Sequence, residues 1–323
     1  MLFNSYIFIL VFLPLFLIGW YTFNRIGKYQ AAQLYLIVMS LIFYGYENPS
    51  YVFLISGSIL INFIISKGMG KASKSSRKLL CILGVTINLL ILGFFKYTNF
   101  FLENFRHISG GEASFLKIAL PLGISFYTFQ QIGYIVDCGK EEQKAYNLID
   151  YASFVVFFPQ LIAGPIVSHE ELVPQFQDIS KRKYDPDNFS VGLKLFIAGL
   201  AKKVLVADFL GSIVDQAFEG ISGLGTISAI FVSLSYTMQI FLDFSGYSDM
   251  AMGLGYMINI KLPLNFDLPY LSETVQEFWK RWHITLNRFF TKYVYIPLGG
   301  SRCSKPRNLF LTLTQYYFIK VFL

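Results

Sequence analysis

The sequence predicts an all-α polytopic membrane protein, on three observations. Of 323 residues, 54% are hydrophobic, 18% aromatic and only 15% charged, and mean hydropathy is positive, a composition too apolar for a soluble chain of this length. Apolar segments recur at Tyr6 to Trp20, Ala31 to Tyr46, Tyr51 to Ser66, Leu79 to Phe95, Leu116 to Val136, Tyr151 to Val167, Leu193 to Leu210 and Ile227 to Gly246. None shows the period-two alternation of a barrel strand, so helices are the spanning element.

The first segment follows the uncharged Asn4 and Ser5, and no small-residue cleavage site follows Trp20. It reads as a retained transmembrane helix rather than a secretory signal. Several segments are shorter than the roughly 20 residues that span a bilayer, so tilt is small or flanking residues complete the crossing. Loop charge sets the orientation. Arg25 and Lys28 after the first segment, and Lys67, Lys71, Lys74, Arg77 and Lys78 after the third, place both loops in the cytoplasm. The loop carrying Glu103, Arg106, His107 and Glu112 is then external.

Leu116 to Val136 returns to the cytoplasm. Tyr151 to Val167 contains Pro159, Gly164 and Pro165 and precedes the basic Lys181-Arg182-Lys183. Parity holds if it dips in and returns as a re-entrant segment, with irregular backbone surrounded by protein or a water-filled cavity. Leu193 to Leu210 crosses outward and Ile227 to Gly246 crosses back, which leaves the basic stretch from Lys261 to Arg307 inside. No internal repeat or hydrophilic linker divides the chain, so residues 1–323 read as one membrane domain.

The net charge of +7 reflects cations held near cytoplasmic headgroups. No basic run is interleaved with polar sequence, which argues against a nucleic-acid partner. Cys81, Cys138 and Cys303 have neither metal-ligand spacing nor a disulfide pattern, and read as buried thiols. No metal site is expected.

The candidate chemistry centres on His283. Thr274-Val275-Gln276-Glu277 fits a capping box, so a helix starts near Val275. Continued through Tyr293, it places Val275, Trp279, Trp282, Leu286 and Tyr293 on one face and Glu277, Arg281, Arg288 and Lys292 on the other, an interfacial amphipathic helix. His283 lies at the border, with Gln276 and Asn287 as polar neighbours that set its tautomer. Its functional reading is general base or orienting group for acyl transfer to a hydroxyl. His107 and His169 lack such a setting and read as structural.

Asp243 and Asp249 lie in or at the end of a membrane segment, where ionisable groups face a bundle interior or cavity. For Asp249, packing or capping and lining a substrate passage stand side by side. Ser245, Gly246, Ser248, Gly253 and Gly255 allow close helix approach. Lys194 snorkels, whereas Lys202 and Lys203 are placed to line a polar cavity and meet an anionic donor.

Five ordered stretches carry a family resemblance: Met1-Leu2-Phe3-Asn4-Ser5, Leu120-Pro121-Leu122-Gly123-Ile124-Ser125-Phe126-Tyr127-Thr128-Phe129-Gln130, Phe158-Pro159-Gln160-Leu161-Ile162-Ala163-Gly164-Pro165, Asp243-Phe244-Ser245-Gly246-Tyr247-Ser248-Asp249, and Trp282-His283. Together they resemble the alginate O-acetyltransferase branch of the membrane-bound O-acyltransferases. The resemblance implies a ring of transmembrane helices, with re-entrant and interfacial helices, around a funnel in the plasma membrane. It implies no bound cofactor, acetyl-CoA as cytoplasmic donor, and a cell-envelope polysaccharide or an extracytoplasmic acetyltransferase as acceptor. His283 corresponds to the family's Trp-His histidine and is the expected catalytic residue, with Asp249, Trp282 and Arg281 as substrate contacts.

The family's second histidine, in a Leu-Trp-His-Gly motif usually regarded as carrying the principal catalytic role, has no counterpart near the terminus. Familial pattern runs to about Thr312 and residues 313–323 depart from it. The expectation is a C-terminally truncated product with half the active site. Other readings are D-alanyl transfer to teichoic acid, a non-catalytic remnant, and a transporter, the last opposed by the absence of paired interrupted halves.

Overall fold

The computed structural model describes residues 1–109, 119–140 and 143–302. These include α1 (Leu13–Arg25), α2 (Tyr29–Gly45), α3 (Ser50–Met69), α4 (Lys74–Ser109), α5 (Ile124–Gly139), α6 (Leu148–Val156), α7 (Phe158–Leu161), α8 (His169–Gln177), α9 (Pro186–Ala201), α10 (Asp208–Glu219), α11 (Thr226–Met257), α12 (Val275–Arg281) and α13 (Ile284–Phe290). Among the described residues there is no strand. Four helical runs among the described residues are long and apolar enough to cross a membrane: Phe8–Arg25, Ser50–Met69, Lys74–Asn104 and Thr226–Met257. Many of their large apolar side chains, such as Leu10, Ile18, Phe53, Ile64, Leu90 and Ile230, are exposed, as lipid-facing positions must be.

The helices depart from the expected segments in three places. The stretch read as an external loop is helical backbone as far as Ser109. Among the described residues of the segment read from Leu116, 119–123 are non-helical and helix begins at Ile124. The segment at Leu193 belongs to a longer helical run, in which α9 passes through a π turn, Lys202–Ala207, into α10. Side chains at Arg106 and His107, and the expectations for Glu112, Cys303 and residues 313–323, lie outside the described residues.

Two compact units emerge. Unit 1 comprises Met1–Met39, Ala163–Val167 and Pro174–Asn287; unit 2 comprises Ser40–Ile162, Ser168–Val173 and Arg288–Leu323.

In unit 1, Phe8, Phe12, Phe16 and Trp20 recur every four residues and stack in sequence at 5.4, 6.4 and 6.3 Å. This spacing aligns them on one buried face. The long helix α11 lies against α9 through glycines. A Cβ on Gly199 would sit 2.4 Å from the Gly246 carbonyl oxygen, and one on Gly192 2.6 Å from that of Gly253. Both pairs are seven residues apart, so two turns of each helix touch backbone to backbone, realising the close approach expected at Gly246 and Gly253.

Unit 2 is held by a buried polar knot. Asn62 on α3 donates to Asn88 of α4 at 3.2 Å and to Gln131 of α5 at 3.0 Å. Gln131 donates to Ser58 and accepts from Tyr151. Each amide thereby finds partners where lipid or an apolar core offers none. Gly123, at φ +71°, leads into α5, and a Cβ there would lie 2.3 Å from the Leu161 carbonyl oxygen. The segment from Tyr151 breaks at Phe157 between α6 and α7, and Phe154 to Leu161 are wholly buried, which gives it the irregular, protein-enclosed backbone expected of it.

Candidate active site

Helix α12 starts as the capping box specifies. Thr274 accepts the Glu277 N–H at 3.1 Å. The helix then stops at Arg281, where the sequence reading continued it. Trp282 is extended and His283 adopts φ +44° before α13 begins at Ile284. A non-glycine residue in the left-handed region costs energy that its surroundings must offset. The single amphipathic face from Val275 to Tyr293 therefore does not exist. The break turns the imidazole inward, leaving His283 only 1% exposed.

The surroundings that hold this turn come from an irregular stretch after α11. The Ile284 N–H donates to the Asn265 carbonyl oxygen at 3.0 Å, and the Asp267 N–H to that of Arg281 at 2.9 Å. The Asn265 side chain completes the turn. Its Oδ1 accepts from the Thr285 N–H at 3.3 Å, from the Thr285 hydroxyl at 2.9 Å and from His283 Nδ1 at 3.0 Å. Because a backbone N–H points at it, this atom is the amide oxygen. His283 therefore carries its proton on Nδ1 and its lone pair on Nε2.

Thr285 Oγ1 in turn accepts the Ile166 N–H at 2.9 Å, and Asn265 Nδ2 reaches Ser248 Oγ at 3.4 Å. Asn265, Thr285, Ser248 and Ile166 are all buried. Three stretches singled out in the sequence, around Pro165, Ser248 and His283, thus meet on the Asn265–Thr285 pair, whose asparagine the sequence pattern does not single out. The available signal was a polar residue in the apolar, proline-flanked Leu262-Pro263-Leu264-Asn265-Phe266. Phe244 meets the His283 ring edge-on at 4.8 Å, and Phe266 lies at 6.4 Å. Burial in this cage pulls the imidazole pKa down to about 3, so the ring is neutral at physiological pH.

The expected neighbours of His283 are placed differently. The Asn287 amide bonds the Trp279 carbonyl, and its backbone N–H reaches the His283 carbonyl. Trp282 is buried against Phe266, Tyr270 and Phe278, with Phe278 stacked at 5.5 Å. Arg281 pairs with Glu277 at 2.8 Å, one turn back on α12. Asp249 on α11 accepts from Lys202 at 2.5 Å, and Lys203 bridges Asp208 at 2.6 Å and Asp243 at 2.7 Å. Both lysines expected to meet an anionic donor are therefore neutralised by carboxylates. The π turn Lys202–Ala207 presents them.

Unit 2 holds a second constellation, around His169, which reads from the sequence as structural. Asp137, at the end of α5 and wholly buried, uses Oδ2 to accept from His169 Nε2 at 3.0 Å, from Lys292 Nζ at 3.1 Å and from the Tyr293 hydroxyl at 2.6 Å. With Nε2 donating, His169 Nδ1 accepts from the Tyr146 hydroxyl at 3.2 Å. Burial pushes that phenol up to about 12, so it remains a donor. Asp137 Oδ1 is buried with no partner among the described residues.

A π turn, Thr291–Tyr295, presents Lys292 and Tyr293, as π turns frequently do at functional sites. Lys292 also reaches Glu170 at 3.4 Å. Burial pulls its ammonium pKa down, but Asp137 and Glu170 raise it further, above the ordinary lysine range. Asp137, His169 and Glu170 bring their ligand atoms within 4.8 Å of one another, the spacing of a cation site. Lys292 is the cation between its two carboxylates. Asp137 and its partners were not legible because they lie up to 156 positions apart.

The profile of the membrane-bound O-acyltransferase family matches residues 137–319. The chain belongs to this family. The match spans His169, Asn265, His283 and Lys292, so the geometry described above is that of a membrane-bound O-acyltransferase domain. The chain is 41% identical over 96% of its length to a peptidoglycan O-acetyltransferase of Helicobacter pylori, and 41% identical over 97% to a probable alginate O-acetylase of Pseudomonas aeruginosa. It covers 65% and 61% of those relatives, so it spans less than two thirds of their length. A teichoic acid D-alanyltransferase of Bacillus subtilis is 28% identical over 54% of the chain. Family membership and the apolar helices make this a multi-pass membrane protein.

Proposed function

We propose that this chain serves O-acetylation of a cell-envelope polymer, moving acetyl groups from cytoplasmic acetyl-CoA to hydroxyls of a polysaccharide or to an extracytoplasmic acetyltransferase that completes the transfer. The observation that carries this reading is the buried His283–Asn265–Thr285 network, on which three familial stretches converge. The two relatives of 41% identity, named for peptidoglycan and alginate acetylation, support an acetyl group and an envelope polymer. D-alanyl transfer is the second reading, and the lower identity of the D-alanyltransferase stands against it.

With its proton held on Nδ1 by Asn265, His283 carries its lone pair on Nε2. Its low pKa makes it a weak base. Of the two sequence-based roles, orienting the attacking hydroxyl is favoured over carrying away its proton. Trp282, Arg281 and Asp249 are proposed as substrate contacts. Trp282 shares Phe266 with the His283 ring, and the Asp249–Lys202 pair places fixed charge on α11.

The test supplies radiolabelled acetyl-CoA to the cytoplasmic face of vesicles carrying the chain and measures label on envelope polysaccharide. Label that depends on His283 supports the proposal. Label from a D-alanyl carrier protein, with none from acetyl-CoA, overturns it in favour of D-alanyl transfer.

A further inference from the structure

Two cavities of unit 1 share a wall, and together they have the chemistry of an amphiphile site. One, about 480 Å³, lies along α1 and is lined by Leu17, Ile18, Tyr21 and Arg25, with Tyr184 and Phe189 opposite. Most of this wall belongs to the membrane-crossing run Phe8–Arg25. The other, about 420 Å³, is lined by Lys181, Lys183, Lys261, Asn259 and Asp185, and by the same Tyr184. Tyr184 is 55% exposed, and its ring meets Tyr21 edge-on at 5.2 Å and Phe189 at 5.6 Å. An apolar groove on a spanning helix thus adjoins a cationic cleft.

The cleft is built from residues far apart in sequence. Asn259, held at φ +60°, donates from Nδ2 to the carbonyls of Lys181 at 3.1 Å and Lys183 at 2.6 Å, and accepts from Asn188 at 3.0 Å. Gln175 brackets the Lys261 backbone, accepting its N–H at 2.8 Å and donating to its carbonyl at 3.0 Å. The backbones beneath all three lysines are fixed. None of their ammonium groups forms an ion pair among the described residues.

Asp185 in the lining and Asp178, which interacts with Lys181, both hold local backbone. Asp185 caps α9, accepting from the Asp187 and Asn188 N–H groups and the Asn188 amide. Asp178 accepts from the Ser180 N–H and hydroxyl. The cleft lining sets three lysines against one carboxylate, Asp185, an excess of positive charge. Lys181, Lys183 and Lys261 also come from the two stretches whose charge places them on the cytoplasmic side, where anionic lipid is concentrated.

We propose that this combined feature binds one anionic glycerophospholipid, with an acyl chain along α1 against Tyr21, Tyr184 and Phe189 and the headgroup phosphate on Lys181, Lys183 and Lys261. Neither half alone selects such a ligand. The groove would take any apolar chain and the cleft any phosphate; only their junction at Tyr184 requires both in one molecule. Lysines near an anionic surface contribute about fivefold each to binding, so removing three should abolish headgroup selectivity.

The test uses the full chain, purified in neutral detergent and titrated with phosphatidylglycerol or phosphatidylcholine while bound lipid is counted by native mass spectrometry. Wild type should hold one phosphatidylglycerol with at least tenfold preference over phosphatidylcholine. The K181Q/K183Q/K261Q variant should lose the preference at unchanged thermal stability. A second variant, L17W/I18W, fills the groove and should weaken both lipids. Undiminished phosphatidylglycerol selectivity in the lysine variant overturns the proposal. So does displacement of the lipid by inorganic phosphate or acetyl-CoA with no effect of L17W/I18W, which would make the cleft a soluble-phosphate site.

Discussion

Asn265 Oδ1 lies 3.0 Å from His283 Nδ1 and accepts two further hydrogen bonds, from the backbone and the hydroxyl of Thr285. One buried amide oxygen thus fixes the tautomer of the imidazole and the start of the helix that follows it. Replacing Asn265 with Leu leaves three buried donors unmatched, each costing about 1–3 kcal/mol. The expected outcome is a marked drop in the thermal unfolding temperature of the detergent-solubilised chain. Asn265→Asp, which keeps the acceptor facing all three donors and exchanges only the amide donor for a second oxygen, should lose less. Equal stability of wild type and Asn265→Leu would show that the network does not hold the turn.

Thr285→Val keeps shape and removes the hydroxyl that links Asn265 to the Ile166 N–H. The loss should be on the order of 1–3 kcal/mol, because the Ile166 donor stays buried without its acceptor. Thr285→Ser should restore most of it. Both are read by the same thermal melt.

Stability should fall in acid through His283. Its folded pKa of about 3 lies below the ordinary 6.5, so the folded state favours the neutral ring and the unfolded state takes up the proton first. The contribution is fully present above pH 6.5 and is lost as pH falls toward 3. At pH 5 the loss is on the order of 2 kcal/mol. In His283→Gln the melting temperature should change less between neutral pH and pH 5 than in wild type. An equal slope would assign acid sensitivity to other groups.

In unit 2, Asp137→Asn removes the charge that faces His169, Lys292 and Tyr293. Hydrogen bonds to a charged group contribute about 1.5–3 kcal/mol, so the loss should be on the order of 2–3 kcal/mol. Combining it with Lys292→Met should cost less than the sum of the single changes, since the lysine then leaves no uncompensated charge. Strict additivity would show that the two groups do not act as a pair.

At the α9–α11 crossing, Gly199→Val drives a branched side chain into the Gly246 carbonyl, where even a Cβ would lie 2.4 Å away. Backbone must move, and the folded yield in membranes should collapse. Gly57→Ala on α3, where nothing lies within 4 Å of a Cβ, should be tolerated and serves as the control.

The sequence by itself determined the solvent, the element type and the family. Runs such as Tyr51 to Ser66 are apolar over enough residues that only a helix satisfies their backbone in lipid. Thr274 and Glu277 set the start of α12 because capping is local chemistry. The glycines of α11 announced a close contact, though not that α9 would supply Gly192 and Gly199.

Tertiary structure decided what local pattern could not. Periodicity carries α12 past Trp282, but hydrogen bonds to Asn265, eighteen positions earlier, outweigh that preference and turn His283 into the left-handed region. Partners also settled the charges. Lys202 and Lys203 read as free cations until Asp249, Asp208 and Asp243 stand beside them. His169 looked unremarkable until Asp137 and Tyr146 were placed on its two nitrogens. A side chain's protonation and role depend on groups brought near through space, and a sequence records only neighbours along the chain.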